Sequence, residues 1–248
     1  MRQFFLLALT LSLLGCATGK NPQDPYESMN RKVYTFNDTL DKAIVKPVAK
    51  GYVAALPSPA RTGIRNFFDN LSSVWSLANN ILQLRPVPVM NDLMRVSVNT
   101  VLGLGGLIDI ATPMGLAKSD VGVGDTLAYY GYYNSSYFVI PFIGPSTVRD
   151  TIGFAGDALG SPAWNIFSEP IQTNSAIATN LIDKRSRLLP YDSALDAAAI
   201  DPYSFVRDTY LQIRAKRLRT HEGLPGSRTQ DDNELSIDDL VPPDPAAQ

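Results

Sequence analysis

A long stretch of helical periodicity in the first third of the chain constrains the fold most strongly. From Pro59 onward, apolar residues recur at spacings of three and four, which is the pattern of an amphipathic α-helix. Ser58 is a good N-cap residue, and proline is favoured at the first helical position. The apolar stripe consists of Ile64, Phe67, Phe68, Leu71, Val74, Trp75, Ala78, Ile81 and Leu82. A helix of this length needs partners along one whole face, so the stripe predicts a helical fold.

Further helices are expected along the rest of the chain. The same spacing predicts helices over Val89–Leu102, Asn174–Leu188 and Asp201–Arg219. Thr147 and Asp150 fit a capping box that opens another helix after Pro145. That helix would contain Gly153, Gly156 and Gly160, which are poor helix formers, so we expect its backbone to pack closely against a neighbour. No segment alternates over enough residues to predict a sheet, and the fold class is therefore all-α.

The N-terminus has the features of an exported lipoprotein. Arg2 precedes the apolar run FFLLALTLSLL, which is shorter than the roughly 20 residues of a spanning helix. The run ends at Leu13-Leu14-Gly15-Cys16, and Cys16 is the only cysteine. This arrangement resembles a bacterial lipobox, in which the cysteine becomes the lipidated N-terminus. We predict a signal peptide over 1–15 and lipid attachment at Cys16; an ordinary signal peptide with an incidental cysteine is the alternative. Ala17, by resemblance to bacterial sorting rules, directs such a protein to the outer membrane.

Composition divides the remainder into a linker, one domain and a tail. Residues 16–23 are a short lipidated linker, and 24–220 have the length of a single domain. The charges nearly balance, with 22 basic and 24 acidic residues, so there is no basic excess to indicate a nucleic-acid partner. Residues 221–248 are rich in Asp and Pro and poor in large apolar groups. Such a composition buries too little surface to offset the entropy of ordering, which predicts a disordered acidic tail.

Two segments do not fit a plain soluble helical bundle. Val98–Leu116 is almost wholly apolar and is broken by glycines and Pro113. It is interpreted either as a buried helix ending in a Gly-rich turn or as a kinked segment at a lipid surface. The second segment, TLAYYGYYNSSYFVIPFIGP, clusters tyrosines, which favour places that are dry at one end and wet at the other. It fits packed surface turns, a membrane interface, a protein contact or a channel wall.

Five stretches of the chain together resemble one known family. They are DPYESMNRKVYTFNDTLDKAIVKPVA, LPSPARTGIRNFFDNL, VNTVLGLGGLIDIAT, GDTLAYYGYYNSSYFVIPFIGPSTVRD and DPYSFVRDTYLQIR. In this order, and behind a lipobox, they resemble the MlaA (VacJ) family of outer-membrane lipoproteins. The resemblance covers nearly the whole mature chain, from Asp24 to about Arg217. The FNDTLDKAIVKP stretch is somewhat shorter and more polar than its counterpart in the best-known members, so gating details of that region are not carried over.

The resemblance implies a function and a set of partners. Members form a helical ring around an amphipathic channel in the periplasmic leaflet of the outer membrane. They associate with a trimeric porin and pass stray outer-leaflet phospholipids to a soluble periplasmic carrier of the MlaC type. The resemblance implies neither a cofactor nor a catalysed reaction. Polar walls for the head group and an opening for the acyl tails would lower the cost of moving a charge past hydrocarbon.

Site residues are predicted on this basis. The candidate channel or membrane-facing residues are Leu102, Gly103, Gly105, Gly106, Leu107, Ile108, Tyr129, Tyr130, Tyr132 and Tyr133. The residues expected to have structural roles in the family motifs are Asp24, Pro25, Glu27, Asn30, Arg31, Gly144, Arg149, Asp150 and Arg207. Glu27 and Arg31 are four apart and can pair on one helix face. Arg149 and Asp150 form a buried pair or line the head-group path.

Two other classes of protein remain as alternatives. An enzyme is disfavoured, because His221 is the only histidine and lies at the edge of the tail, and there is no G-x-S-x-G or H-E-x-x-H motif. A structural lipoprotein that braces a porin or the envelope fits the anchor equally well. Lipid asymmetry distinguishes a brace from a lipid transporter, because loss of a brace would change porin level or assembly while asymmetry stays intact.

Overall fold

The computed structural model describes residues 21–165, 169–192 and 201–222. The signal peptide over 1–15, Cys16 and the tail beyond 222 lie outside the described residues, so these predictions stay predictions. The last helix runs to Glu222 and so includes the first two residues of the predicted tail.

The first half of the described chain is helical. Its elements are α1 (Glu27–Leu40), a π-helical turn (Asp41–Val45), α2 (Lys46–Ala55), α3 (Ser58–Leu82), α4 (Pro86–Val101) and α5 (Val123–Tyr129). The long helix predicted from the apolar stripe is confirmed as α3. The next predicted helix begins at Pro86 rather than at Val89, because proline's fixed φ suits the first turn of a helix.

The second half contains a short hairpin and four helices. In order these are β1 (Tyr137–Ile140), β2 (Gly144–Thr147), α6 (Val148–Gly160), α7 (Pro162–Asn165), α8 (Pro170–Leu188), a 3₁₀ turn (Leu189–Tyr191) and α9 (Pro202–Glu222). The cap predicted for α6 is confirmed, since the Thr147 side chain accepts a hydrogen bond from the Asp150 N–H. The helix predicted from Asn174 begins earlier, at Pro170.

The prediction that the chain lacks a sheet is wrong in one place. β1 and β2 pair antiparallel, with Tyr137 opposite Thr147 and Ile140 opposite Gly144. Each strand has four residues, which is too short for alternation to stand out in the sequence. The fold remains mainly helical.

Burial is inverted relative to an ordinary soluble protein. Most of the buried residues in the described chain are polar or charged, whereas its exposed surface carries many large apolar side chains. Along α3 the buried residues include Ser76, Asn79 and Asn80, while Ile81 and Leu82 are more than half exposed. Buried polar groups and extended exposed apolar surface are the informative exceptions to normal burial, and large exposed patches mark interaction or membrane surfaces.

Hydrogen bonds between side chains hold this polar interior together. Asn80 on α3 donates to Asp92 on α4 at 2.7 Å, and Ser119 donates to the other oxygen of Asp92 at 2.6 Å. Thr126 on α5 donates to Asn79 at 2.8 Å. Buried polar groups cost free energy unless they are paired, so these bonds make the inverted packing possible.

Candidate functional site

A cavity of about 560 Å³, which we call the central cavity, lies among α3, α5, the hairpin, α6, α7, α8 and α9. Its volume is within the range of ligand pockets, about 300–1,000 Å³. The polar and charged residues of its wall are Ser72, Ser76, Asp120, Asp125, Ser146, Asp150, Asp157, Ser161, Asn180, Lys184, Tyr210, Arg214 and Arg217. Apolar lining comes from residues that include Trp75, Val121, Ile140, Ile143, Phe154 and Ile213. The cavity is therefore amphipathic, with charge on several of its walls.

Close helix packing builds one wall of the cavity. A Cβ at Gly153 of α6 would lie 2.4 Å from the Gly124 nitrogen of α5, and a Cβ at Gly160 would lie 2.2 Å from the Trp75 ring. The close packing predicted for the α6 glycines is therefore confirmed. Asp157 links the same elements, because one of its oxygens accepts from the Trp75 indole at 2.7 Å and from the Val123 N–H at 2.9 Å.

A cluster of paired charges joins α9 to this wall. The Arg214 guanidinium donates to both oxygens of Asp150, at 2.8 and 2.7 Å, and also to Asp125. Arg149 donates to the same two oxygens of Asp150, at 3.0 and 3.3 Å. Arg217 lies 3.6 Å from Asp125 and 3.4 Å from Asp120. We call these six residues the paired cluster.

Two acids of the paired cluster, Asp125 and Asp150, stay ionised. Burial alone would raise the pKa of Asp150, but its hydrogen bonds and charge attraction to Arg214 and Arg149 outweigh burial and hold that pKa well below its ordinary value. The pKa of Asp125 is lowered in the same way: burial opposes the shift, and Arg217 and Arg214 overcome it. Asp157 differs, because burial raises its pKa and the described residues give it no ion pair.

Lys184 is a cation in the cavity wall that lies outside the paired cluster. It projects from α8 into the cavity, where it reaches water while protein surrounds it on most sides. Within the described ranges, its ammonium has no hydrogen-bond or ion-pair partner. Burial consequently lowers its pKa. An ammonium in this situation can be stabilised by an anion that enters the cavity.

The Gly-broken segment lies away from the cavity wall. Leu102, Leu107 and Ile108 are exposed, whereas Gly103 and Gly106 are buried. Gly106 has a φ of +94°, and a Cβ there would lie 2.6 Å from the Asn70 side chain; Gly105 has a φ of +73° and open space around it. The glycines thus allow a tight loop that displays apolar side chains on the surface.

The tyrosines also lie outside the lining of the central cavity. Tyr130, Tyr132 and Tyr133 are exposed, and Tyr129 stacks edge-on against Tyr130. The Tyr130 hydroxyl donates to the Leu82 carbonyl. Tyr133 lines a second cavity of about 400 Å³, which also includes Arg149 and Arg214.

The N-terminal motif residues connect distant parts of the chain. Asp24 is fully buried, accepts from Asn30 at 2.8 Å and from Tyr203 at 2.5 Å, and lies 3.4 Å from Arg207. Asn30 in turn accepts from the Val139 N–H at 3.0 Å. These contacts join α1, β1 and α9.

The remaining motif residues lie at junctions between elements. Arg31 pairs with Glu27 at 2.8 Å, as the spacing predicts, and also with Asp201 at 2.7 Å. Pro25 lies two residues before the start of α1, and Gly144 begins β2 with a φ of +120°. Arg149 is buried and also donates to the carbonyls of Tyr132 and Tyr133, at 3.1 and 3.0 Å.

Sequence reasoning missed most of the cavity wall. Ser72, Ser76, Asn180 and Lys184 were not singled out, although the serines fall in a polar stripe of α3 with helical spacing. Asp69, Ser72, Ser73, Ser76, Asn79, Asn80 and Gln83 form that stripe. Read as an inward face, it would have indicated the cavity.

Within residues 21–165, 169–192 and 201–222, no three His, Cys, Asp or Glu side chains are grouped so that they could hold a metal ion. Over the same ranges, none of the helices has both the length and the apolar character needed to cross a bilayer.

A helical fold with inverted polarity and an amphipathic cavity defines a lipid-associated class of protein. The chain belongs to the MlaA lipoprotein family, whose model matches residues 22–217. It is 36% identical over 214 residues to the intermembrane phospholipid transport system lipoprotein MlaA of Escherichia coli (strain K12), covering 82% of this chain and 83% of that protein. The protein of the same name from Haemophilus influenzae is 30% identical over 224 residues, covering 83% of this chain and 86% of the relative.

A solved structure agrees with this assignment. It is described as the structural basis for maintenance of bacterial outer membrane lipid asymmetry. It superposes with a TM-score of 0.68 at 34% identity, covering 79% of this chain and 98% of the solved chain. The helical fold is therefore that of the family.

Proposed function

We propose that this lipoprotein removes mislocalised phospholipids from the outer leaflet of the outer membrane and thereby maintains lipid asymmetry. The observation that carries the proposal is the amphipathic cavity enclosed by a protein with an apolar surface. The named relatives are phospholipid transport lipoproteins, which supports the same reading.

The cavity provides a low-energy path for a phospholipid head group. An unpaired charge in hydrocarbon is very costly, whereas the hydroxyls and charges of the cavity can solvate a phosphate and its substituent. Lys184 provides an uncompensated positive charge for the phosphate. Transport along such a path needs no chemical step, so the proposed function is not enzymatic.

The exposed apolar surface supports a position in the periplasmic leaflet of the outer membrane. The acyl chains of a lipidated Cys16 would anchor the protein to the periplasmic leaflet of the outer membrane. Two such chains already give stable attachment. The exposed loop side chains Leu102, Leu107 and Ile108 would enter the lipid, and the exposed tyrosines would lie at its interface or against a trimeric porin. The helices would form a ring, and the cavity inside the ring would serve as the lipid channel. A soluble periplasmic carrier of the MlaC type would receive the lipid.

Filling the cavity tests the proposal. Ser72→Trp places an indole in the cavity wall, whereas Thr62→Trp adds the same group to an exposed position of the same helix. In cells that lack the native protein, we expect Thr62→Trp to restore low surface phospholipid and detergent resistance. Ser72→Trp should leave both defective at equal protein level. Surface phospholipid is measured with a membrane-impermeant amine label.

Two results would contradict transport through the cavity. One is full restoration of asymmetry by Ser72→Trp. The other is a deletion strain with normal surface phospholipid but altered porin level or assembly, which would favour the envelope-bracing alternative.

A further inference from the structure

We propose that Arg65 and Arg187, with Arg61 beside them, form a phosphate-binding subsite outside the Lys184 end of the central cavity. The ligand is the phosphodiester of a phospholipid head group. The subsite rests on the proposed function and extends it, because it gives the lipid a second binding position along its path. We call these three arginines the arginine subsite.

The first observation is the direction of the α3 face that lines the cavity. Ser72 and Ser76 line the cavity, and Arg65 lies seven residues before Ser72. At 3.6 residues per turn this spacing returns to the same face, about 10 Å further along the helix axis. Arg61 follows one turn beyond Arg65. The cavity-lining face of α3 therefore continues outward as a row that ends in two arginines.

The second observation is that α8 continues in the same manner. Asn180 and Lys184 line the cavity, and Arg187 lies one turn beyond Lys184, next to the end of the helix at Leu188. Lys184 is within electrostatic range of Asp69 and Arg187. The outward ends of both rows are thus cationic.

Contacts through α2 bring the two rows together. The Tyr52 hydroxyl donates to Asp183 on α8 at 3.2 Å, and Asp183 lies 3.4 Å from Arg187. The same hydroxyl is within electrostatic range of Arg61 and Arg65 on α3. One phenol and one carboxylate therefore lie between the arginines of α3 and that of α8.

The third observation is that these cations outnumber the acids that face them. Asp183 pairs with Arg187, and Asp69 is paired with Lys118 at 2.7 Å. Arg61 donates from Nε to the Leu56 carbonyl rather than to an acid. In the described chain, Arg65 has no hydrogen-bond or ion-pair partner, and Nε of both Arg65 and Arg187 is buried without one.

Such an excess of half-buried guanidinium groups fits a phosphate. Guanidinium binds phosphate oxygens with paired, charge-assisted hydrogen bonds. A protein partner would need side chains that reach these half-buried groups between α3 and α8. A lipid phosphate that leaves the cavity past Lys184 arrives there along the two helix faces. These positions favour the lipid.

Binding of a short-chain lipid tests the subsite. The full-length lipoprotein, purified from membranes in nonionic detergent, is titrated with dihexanoylphosphatidylglycerol by calorimetry. We expect Arg65→Gln to weaken binding about tenfold, the size expected for one lost charge-assisted hydrogen bond. Arg65→Lys should recover part of the affinity. Lys32→Gln removes one exposed positive charge from α1 and should stay within about twofold of wild type.

Further arms separate the ligand's source from general effects. Inorganic phosphate should bind more weakly than the lipid, and an uncharged diacylglycerol should not respond to Arg65→Gln. Equal affinity for inorganic phosphate would overturn the lipid assignment. Thermal midpoints of all variants are compared to exclude misfolding, and Arg187→Gln repeats the test on α8 if Arg65→Gln fails to fold.

Failure of the subsite is distinguishable from failure of the proposed function. If wild-type protein binds the lipid and restores asymmetry while Arg65→Gln and Arg187→Gln match it in affinity, only the subsite is wrong. If wild-type protein neither binds phospholipid nor restores asymmetry, the proposed function is wrong.

Discussion

Two charged regions border the same cavity, and they differ in pairing. In the paired cluster, the arginines Arg149, Arg214 and Arg217 meet Asp120, Asp125 and Asp150. The second region consists of Lys184 and the arginine subsite, and there the cations outnumber the acids near them. The charges of the paired cluster are neutralised by ion pairs within the protein, whereas the other region has unpaired positive charge that can bind a ligand.

The difference assigns structural and binding roles within one cavity. A partly buried ion-pair network fixes the elements that carry it, because removing one partner leaves an uncompensated charge. An unpaired, poorly hydrated cation instead costs stability until an anion arrives. Substitutions in the two regions should therefore differ in kind as well as in size.

The largest expected effect is loss of the central arginine of the paired cluster. Arg214→Met keeps an apolar side chain of similar length and removes the guanidinium that joins Asp150 and Asp125. We expect the free energy of unfolding to fall by about 3–5 kcal/mol, as for other broken buried pairs. Denaturant unfolding of the detergent-solubilised protein measures it. A loss below about 1 kcal/mol would place this pair among weak surface ion pairs and remove the contrast.

A smaller effect is expected from an acid of the same cluster, and it depends on pH. The folded-state pKa of Asp150 lies below its ordinary value of 3.8, so its ionisation stabilises the fold above that value. This stability is lost as the pH falls below about 4. Asp150→Asn should cost about 2–3 kcal/mol at pH 7 and should flatten the decline of stability between about pH 5 and 3.

Asp157→Asn is the matched control for that substitution. Burial raises the pKa of Asp157, and its oxygen accepts from Trp75 and Val123 without an ion pair in the described chain. Asparagine retains an acceptor, so the cost should be below about 1 kcal/mol. Equal losses for the two substitutions would contradict the role given to pairing.

The smallest effect on stability, with a large effect on transport, is expected at Lys184. Its pKa is lowered in the fold, so its charged form disfavours the folded state at neutral pH and Lys184→Met should leave the thermal midpoint unchanged or raise it. The same variant should fail to lower surface phospholipid in cells lacking the native protein. A fall in midpoint comparable to that of Arg214→Met would show that Lys184 is structural.

Local sequence patterns predicted α3, α4, α6, α8 and α9 among the nine described helices, but placed the starts of α4 and α8 too late. The stripe from Ile64 to Leu82 predicted α3, and the prolines at Pro59, Pro86 and Pro170 mark helix starts because they suit the first turn. The Thr147 cap and the close packing at Gly153 were likewise predictable, because both depend on one residue's own chemistry. The four-residue strands of the hairpin were not, because strands this short show too few alternating positions to stand out in the sequence.

The cavity could be located only from the tertiary structure. Periodicity shows that α3 has a polar and an apolar face, and in water the apolar face would be the one to bury. In the structure Ser76, Asn79 and Asn80 are buried and Leu82 is exposed. The spacing of residues is the same in either case, so only packing against α4, α5 and α8 decides which face is inward.

The sequence by itself determined the helical class and the family resemblance, and it predicts the lipobox at Cys16, because each depends on neighbouring or regularly spaced residues. The tertiary structure decided which charges are paired. Arg214 and Asp125 are far apart in sequence and meet only when α9 packs on α5, whereas Lys184 forms no ion pair in the described chain. Which charges are paired at a site depends on distances in space, whereas composition fixes only the net charge of the whole chain.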